Sequence, residues 1–449
     1  MTGSDTIAAI ATPPGQGAIA LLRLSGPEAG AIARGVFSRA VGPPRIQTHG
    51  AIRAADGAVI DEVLLTWFPA PRSYTGEDVV EIACHGGMLV TRKVLDRLLE
   101  AGARPAEPGE FSQRAFLNGK MDLTQAEAVM DLISAQTDLA LRAAHEQLAG
   151  RLGQALMGLR ADLIGIVAHV EAYIDFPEED IDPETGQELL DRIDSTRKVV
   201  DRLIATADQG RILREGVRTV ICGAPNVGKS SLLNVLLGFD RAIVSDTAGT
   251  TRDTIEEVIN LRGIPIRLID TAGVRESDDA VEREGMARTR AQIANAELVL
   301  EVFDASAPKP ATDGGTIASQ VPAGAHHLRL LNKIDLGEHA DWSAEDGVRI
   351  SCSNQAGMDA LIDTIFSKLG GPGAQWGADL VAINARHQRC LARASGDLLA
   401  ARQRLAEGES PEFAALELRS ALDAIGEVVG KTDVEEILGE IFSRFCIGK

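Results

Sequence analysis

The chain has 449 residues, 45% of them hydrophobic and 24% charged; at roughly 150 residues per domain this is a globular protein of about three units, each long enough for its own core. No apolar run reaches the roughly 18 residues of a membrane span, and a net charge of −20 excludes a broadly cationic RNA-binding surface, so any nucleic-acid contact must be local or shared with a partner. The five cysteines, Cys84, Cys222, Cys352, Cys390 and Cys446, contain no CxxC and are odd in number, which argues against structural zinc and a disulfide framework; with no basic, apolar leader at the start, the expected compartment is the cytoplasm.

Residues 1–118 alternate apolar runs at 7–11, 18–24, 63–68 and 79–83 with Gly/Pro punctuation and two helix-like stretches, predicting a compact α/β domain. From residue 119 the texture becomes helical. Asp122 with Gln125 forms a capping-box pattern, and Val129, Met130, Ile133, Leu148, Leu152, Leu156, Leu159 and Leu163 recur at helical spacing, predicting helix for nearly fifty residues. The acidic run 175–184 breaks it and reads as a solvated loop; Leu189, Ile193, Val200, Leu203 and Ala207 then resume the period up to residue 215.

Residues 216–370 open on an apolar run, 217–222, followed by Gly223-Ala224-Pro225-Asn226-Val227-Gly228-Lys229-Ser230-Ser231 and a helical run of leucines. A strand turning into a helix through two glycines is a phosphate cradle: loop N–H groups wrap the phosphates, Lys229 reaches the β- and γ-phosphoryl oxygens and the Ser230 hydroxyl ligates Mg²⁺. After a second apolar run come Asn332-Lys333-Ile334-Asp335, whose Asp335 carboxylate accepts from both N1–H and the exocyclic amine of guanine, a pair adenine does not supply. The ligand is therefore GTP with Mg²⁺.

Three further segments fall in the expected order. Ser245, Asp246, Thr247, Ala248, Gly249, Thr250 and Thr251 form a loop supplying Thr251 as a Mg²⁺ ligand; Asp270, Thr271, Ala272 and Gly273 close the run 264–269; Ser351, Cys352 and Ser353 back the guanine. One doubly wound sheet suits this span. Position 274, where many GTPases carry a water-orienting glutamine, is Val. Glu276, Asp278, Asp279, Glu282 and Glu284 follow, spacing does not choose among them, and Arg252 and Arg275 are candidates for charge on the γ-phosphate. The tail, 371–449, is helical again with Phe413, Leu416, Leu418, Leu422, Ile425 and Val428 as its expected buried face, so the economical architecture is a helical domain built from 119–215 and 371–449 with the Ras-like GTPase domain inserted between them.

The nucleotide motifs resemble the Era-like P-loop GTPases. Three features outside them narrow the resemblance to the TrmE family of tRNA-modification GTPases: the opening Asp5-Thr6-Ile7-Ala8-Ala9-Ile10-Ala11-Thr12-Pro13-Pro14-Gly15, the run from Pro108-Gly109-Glu110-Phe111-Ser112 to Leu123, and the ending Cys446-Ile447-Gly448-Lys449. The resemblance implies a homodimer formed by an N-terminal tetrahydrofolate-binding domain, with Arg23, Glu81, Lys120 and Lys449 at 5,10-methylene- or 5-formyl-tetrahydrofolate. It also implies K⁺ held by Asn226, Ser245, Thr247 and Thr250, and Glu282 acting on the attacking water. Cys446, three residues from the end and close to a glycine, is a candidate nucleophile on its own chemistry, with a packed terminal thiol as the alternative.

The FAD-containing partner of the family is MnmG, in a heterotetramer, and the implied product is aminomethyl or carboxymethylaminomethyl at C5 of uridine 34 in tRNA. The one departure from the family pattern is Ser351-Cys352-Ser353, where Ser-Ala is usual. Two other readings are an Era-like GTP switch in ribosome assembly and a GTP-controlled scaffold without modification chemistry of its own.

Overall fold

The structure, a computed structural model, describes the chain except residues 1–4, 176–186, 239, 242–256, 270–291, 311–319, 371–380, 432–434, 444 and 449. It divides into two compact units, one of Met1–Met130, Leu148–Thr196 and Arg393–Lys449, the other of Asp131–Gln147 and Arg197–Ala392.

The first unit begins with β1 (Ile7–Ile10), β2 (Ile19–Ser25), α1 (Ala29–Val36), β3 (Thr48–Arg53), β4 (Val59–Phe68), β5 (Val79–His85), α2 (Met88–Glu100), β6 (Arg104–Pro105) and α3 (Glu110–Leu117). The strands form one sheet in the order β3-β4-β5-β2-β1-β6, antiparallel except for the β1–β6 pair. Alternation along β2 and β5 turns Leu22, Leu24, Val80 and Ile82 into a core with Ile32, Val36, Val94 and Leu98 of the two helices. Arg23 and Glu81 thereby point to the opposite face.

Where a single run of nearly fifty helical residues was expected, there are three helices: α4 (Leu123–Ser134), α5 (Asp138–Leu148) and α6 (Arg151–Asp175). Two local signals cause the breaks. Thr137 Oγ1 accepts from the Ala140 N–H at 3.2 Å and starts a new helix, and Gly150, at φ +86°, adopts a left-handed backbone between α5 and α6. The capping box stands as read: Asp122 N–H donates to Gln125 Oε1 and Gln125 N–H to Asp122 Oδ1, both at 2.9 Å.

α7 (Gln187–Ile204) and α8 (Ala207–Glu215) follow and bury Leu189, Ile193, Val200, Leu203 and Ala207 as expected.

In the second unit β7 (Val217–Gly223) leads through the glycine loop to α9 (Lys229–Gly238), then β8 (Asp240–Arg241), β9 (Glu257–Leu261), β10 (Ile264–Leu268), β11 (Leu298–Asp304), β12 (His326–Asn332), β13 (Val348–Arg349) and α10 (Met358–Gly370). The sheet order is β13-β12-β11-β7-β10-β9-β8, parallel from β13 to β10. Leu232 and Leu236 of α9 and Leu361 and Ile365 of α10 cover one face, and Val220, Cys222, Ile293 and Val299 pack on the other. The C-terminal ends of β7, β11 and β12 therefore converge on one edge, where open parallel sheets bind ligands.

Helices α11 (Ala385–Glu407), α12 (Pro411–Val429) and α13 (Glu435–Ser443) complete the described elements. In the first unit α12 lies along α6 and buries Ala414, Leu418, Ala421, Ile425 and Val428. Phe413 and Leu416, expected in that face, are instead 54% and 66% exposed. At 100° per residue they fall on the far side of the helix from Leu418, and the alanines that line the true face carry too little hydrophobicity to announce it. Among the described residues no helix is long and apolar enough to cross a membrane.

Candidate functional site

β7 delivers the chain to the edge of the second unit's sheet, and two glycines shape the loop that follows. Gly223 has φ +141°, and a Cβ there would overlap the Val302 carbonyl of β11; Gly228 has φ +103°, and a Cβ there would overlap the Asn332 carboxamide. Both positions need glycine for backbone conformation and for space. Between them Asn226 sits exposed in the left-handed region at φ +63°, and Val227 is buried.

Lys229, Ser230 and Ser231 form the first turn of α9, where the positive end of the helix dipole favours an anion. The Lys229 ammonium donates to the carbonyls of Gly223, at 3.0 Å, and Ala224, at 2.8 Å, so it bends back across the loop. Burial holds its pKa below the ordinary lysine value, against an opposing pull from Cys222.

β12 ends at Asn332, whose side chain joins two loops. Its Nδ2 donates to the Val227 carbonyl at 2.8 Å and its Oδ1 accepts from the Cys352 N–H at 3.1 Å. It is 2% exposed, so both contacts are shielded from water. Asp335 is exposed, with Oδ1 accepting from the buried Ser351 hydroxyl at 2.6 Å, and Ser353 N–H donates to that hydroxyl at 3.3 Å. Burial, with the Asp335 charge, pushes the Cys352 thiol up to about 11 and keeps it neutral.

Two residues that sequence reasoning missed complete the arrangement. Asp304, at the end of β11, accepts from the Lys333 ammonium at 2.6 Å through Oδ2, and through Oδ1 from Ser306 N–H at 3.0 Å and Ser306 Oγ at 2.6 Å. Burial would raise its pKa, but these hydrogen bonds and the Lys333 charge bring it below the ordinary carboxylate value. Lys333 itself has φ +67°. The only signal in the sequence was Asp304 at the end of an apolar run.

The structure thus brings together Asn226, Val227, Gly228, Lys229, Asn332, Lys333, Asp335, Ser351, Cys352 and Ser353 at one edge, with Ser230 and Ser231 in the adjoining helix turn. Residues Ser245, Asp246, Thr247, Ala248, Gly249, Thr250, Thr251, Asp270, Thr271, Ala272, Gly273, Glu282 and Lys449 lie outside the described residues. Among the described residues no group of three His, Cys, Asp or Glu side chains could hold a metal ion.

In the first unit Arg23 and Glu81 are cross-strand partners on β2 and β5. Arg23 Nε and Nη2 donate to Glu81 Oε1 at 3.0 and 2.7 Å, and the guanidinium lies 5.3 Å from the Tyr74 ring centroid and 5.8 Å from that of Phe111. Lys120 makes a separate contact, its ammonium donating to the Pro71 carbonyl at 3.1 Å. Cys446 is exposed, and the segment around it is fixed to distant parts of the same unit. Its carbonyl accepts from Gly109 N–H at 3.5 Å, Ile447 bridges to Pro108, and Gly448, at φ +98°, lies where a Cβ would come within 2.7 Å of the Ile10 carbonyl. The opening motif, the run that starts at Pro108 and the closing motif therefore meet.

Comparison with known proteins agrees over the whole length. Residues 6–120 match the family described as GTP-binding protein TrmE N-terminus, and residues 123–446 match the MnmE helical domain. The chain is 54% identical to the tRNA modification GTPase MnmE of Akkermansia muciniphila, 48% to that of Geobacter sulfurreducens and 45% to that of Natranaerobius thermophilus, each over 99% of both chains. With both family segments matched and relatives of this similarity spanning nearly every residue, the chain belongs to the MnmE (TrmE) family of tRNA modification GTPases.

Proposed function

We propose that this chain hydrolyses GTP and that hydrolysis drives conformational cycling in the modification of wobble uridine 34 of certain tRNAs. The observation that carries the nucleotide part is Asn332, one buried carboxamide tying the phosphate loop to the loop beside Asp335. Asp335, its outer edge exposed and its Oδ1 already fixed by Ser351, accepts from guanine N1–H and the exocyclic amine. Lys229 exchanges the Gly223 and Ala224 carbonyls for phosphoryl oxygens, which offer its half-buried ammonium the charge partner that carbonyls do not. Glu282 orients the attacking water in place of the glutamine that Val274 replaces.

The loop fits a phosphate-bound cation, since Ser230 lies in the first turn of α9 and Asn226 is exposed in the loop before it. Ser230 and Thr251 would hold Mg²⁺, and Asn226, Ser245, Thr247 and Thr250 would hold K⁺. Together these ions supply positive charge at the transferring phosphoryl group.

The N-terminal sheet fits a folate in its donor set. A carboxylate suited to a pterin, Glu81, is paired with Arg23, whose guanidinium lies against the Tyr74 and Phe111 rings, and Lys120 and Lys449 add cations for a glutamate tail. Glu81 and Arg23 must loosen their mutual ion pair to serve it. On this reading the division is 1–118 for folate and dimerisation, 119–215 and 371–449 for the helical domain, and 216–370 for GTP. The chain works in the cytoplasm as a homodimer with the FAD-containing MnmG, installing an aminomethyl or carboxymethylaminomethyl group whose methylene comes from the folate.

The test is GTP turnover of the purified chain in K⁺ and in Na⁺, with mass analysis of tRNA from cells lacking it. The expected result is K⁺-selective turnover and loss of the wobble modification. Equal turnover in both salts would remove the K⁺ assignment, and unchanged tRNA the modification role.

A further inference from the structure

Two carboxylates compete for one ammonium in the base loop, and the structure shows which one wins. Lys333 lies two residues from Asp335, close enough in sequence to neutralise the carboxylate assigned to guanine, yet its ammonium is bound at 2.6 Å by Asp304. Asp304 is not a casual surface partner. Its second oxygen is clamped by the Ser306 N–H and hydroxyl at 3.0 and 2.6 Å, it is paired in register with Asn332 across β11 and β12, and the next N–H, of Ala305, donates to the Asn332 carbonyl at 2.8 Å. The side chains of Lys333 and Asp304 are only 29% and 23% exposed, so the pair is partly shielded from solvent screening. Lys333 also holds φ +67°, a conformation costly for a residue with a Cβ, which persists only where its surroundings hold it.

We infer that Asp304 is a positioning residue for guanine recognition: it anchors the Lys333 ammonium at the end of β11, which leaves Asp335 free to accept from the base and holds the Lys333 stem in one place beside it. The inference rests on the GTP reading above and adds a residue outside the nucleotide motifs. Asp304 acts through Lys333 and does not touch the nucleotide.

Fluorescent GDP and GTP binding by the full chain tests it with Asp304→Asn, Lys333→Ala and the double variant, alongside KM and kcat. Loss of one charge-assisted hydrogen bond corresponds to roughly a tenfold change in affinity. Asp304→Asn is expected to weaken GDP and GTP alike by about that factor and to raise KM much more than it changes kcat, because the phosphates are untouched. Asp304→Glu is expected to recover part of the loss. The double variant is expected to bind no worse than Lys333→Ala alone, since both changes remove one interaction. Should Asp304→Asn fail to fold, Ser306→Ala is expected to move KM in the same direction by a smaller factor.

Wild-type affinity in both Asp304→Asn and Ser306→Ala, or losses that add fully in the double variant, overturns the assignment while leaving the GTPase reading in place. A wild-type chain that binds no guanine nucleotide removes both.

Discussion

At the scale of residues, the phosphate and base loops are linked by side chains whose loss has separate signatures. Asn332→Ala leaves the Val227 carbonyl and the Cys352 N–H without their partner in a buried place. The expected cost is about 2–3 kcal/mol of stability, read by denaturant unfolding, with weaker GDP binding. Cys446→Ser makes a different prediction. Its thiol is exposed while its neighbours are pinned, so the substitution is expected to leave GTP turnover unchanged and to abolish the tRNA modification; intact modification would make the thiol a passenger.

The nucleotide motifs were legible because each leaves a local mark in the sequence, a glycine where the backbone takes a positive φ or a carboxylate just past a strand end. Asp304 was not legible because its importance comes from register with Asn332, a pairing between strands far apart in sequence. Likewise Arg23 and Glu81 could be singled out one by one, but not as each other's partner.

Among elements, strands were missed where a polar residue interrupts an apolar run. β11 carries Glu301 inside it, 2% exposed and paired with His327 at 2.8 Å. β3 carries Gly50, where a Cβ would come within 2.5 Å of the Phe37 ring, so the position reads as a turn although it is a packing requirement. One helix start was readable, the Asp122–Gln125 capping box, whereas the breaks at Thr137 and Gly150 were not. Replacing Asp122 by Ala removes an N-cap that the structure shows intact, at an expected cost of about 0.5–2 kcal/mol by thermal or denaturant unfolding.

Gly109 gives a sharper test. At φ +68° it begins α3, and a Cβ there would lie 2.6 Å from the Phe442 carbonyl and 2.9 Å from Phe445 Cβ. Gly109→Ala is therefore expected to destabilise the first unit by about 1–3 kcal/mol and to lift α13 from α3. Faster amide hydrogen exchange in α13 would report that movement.

For the whole molecule, the net charge of −20 makes the placement of the buried Arg114 and the half-buried Arg104 decisive. Arg114 joins Asp5, Glu77 and Glu110, and Arg104 joins Asp5 and Glu110. Burial opposes ionisation of Glu110, but hydrogen bonds from Arg104, the Glu107 N–H and Arg114 hold its pKa below the ordinary value; Arg104 foremost does the same for Asp5. A carboxylate depressed in the folded state contributes stability that is complete above its unfolded pKa, near 4, and lost as pH falls through the lower folded value. Acid unfolding of the first unit is thus expected below about pH 4. Arg114→Met leaves Glu110 buried beside one remaining arginine and is expected to cost about 3–5 kcal/mol, with the acid transition moved to higher pH, both measurable by circular dichroism.

Gly448 seated on Ile10, and Ile447 bridged to Pro108, also bear on the order in which a ribosome can complete this molecule. Every segment of the second unit leaves the exit tunnel before residue 393, so its parallel sheet can close during synthesis. The first unit begins earlier and finishes later. Until 438–445 emerge, Leu123 and Ala126 lack the cover that Leu438, Phe442 and Phe445 provide, and a nascent chain carries that apolar surface throughout translation of the nucleotide-binding half. Prolonged exposure of this kind is a natural point of contact for chaperones, and a truncated product stalled short of residue 438 would present the same surface to proteases.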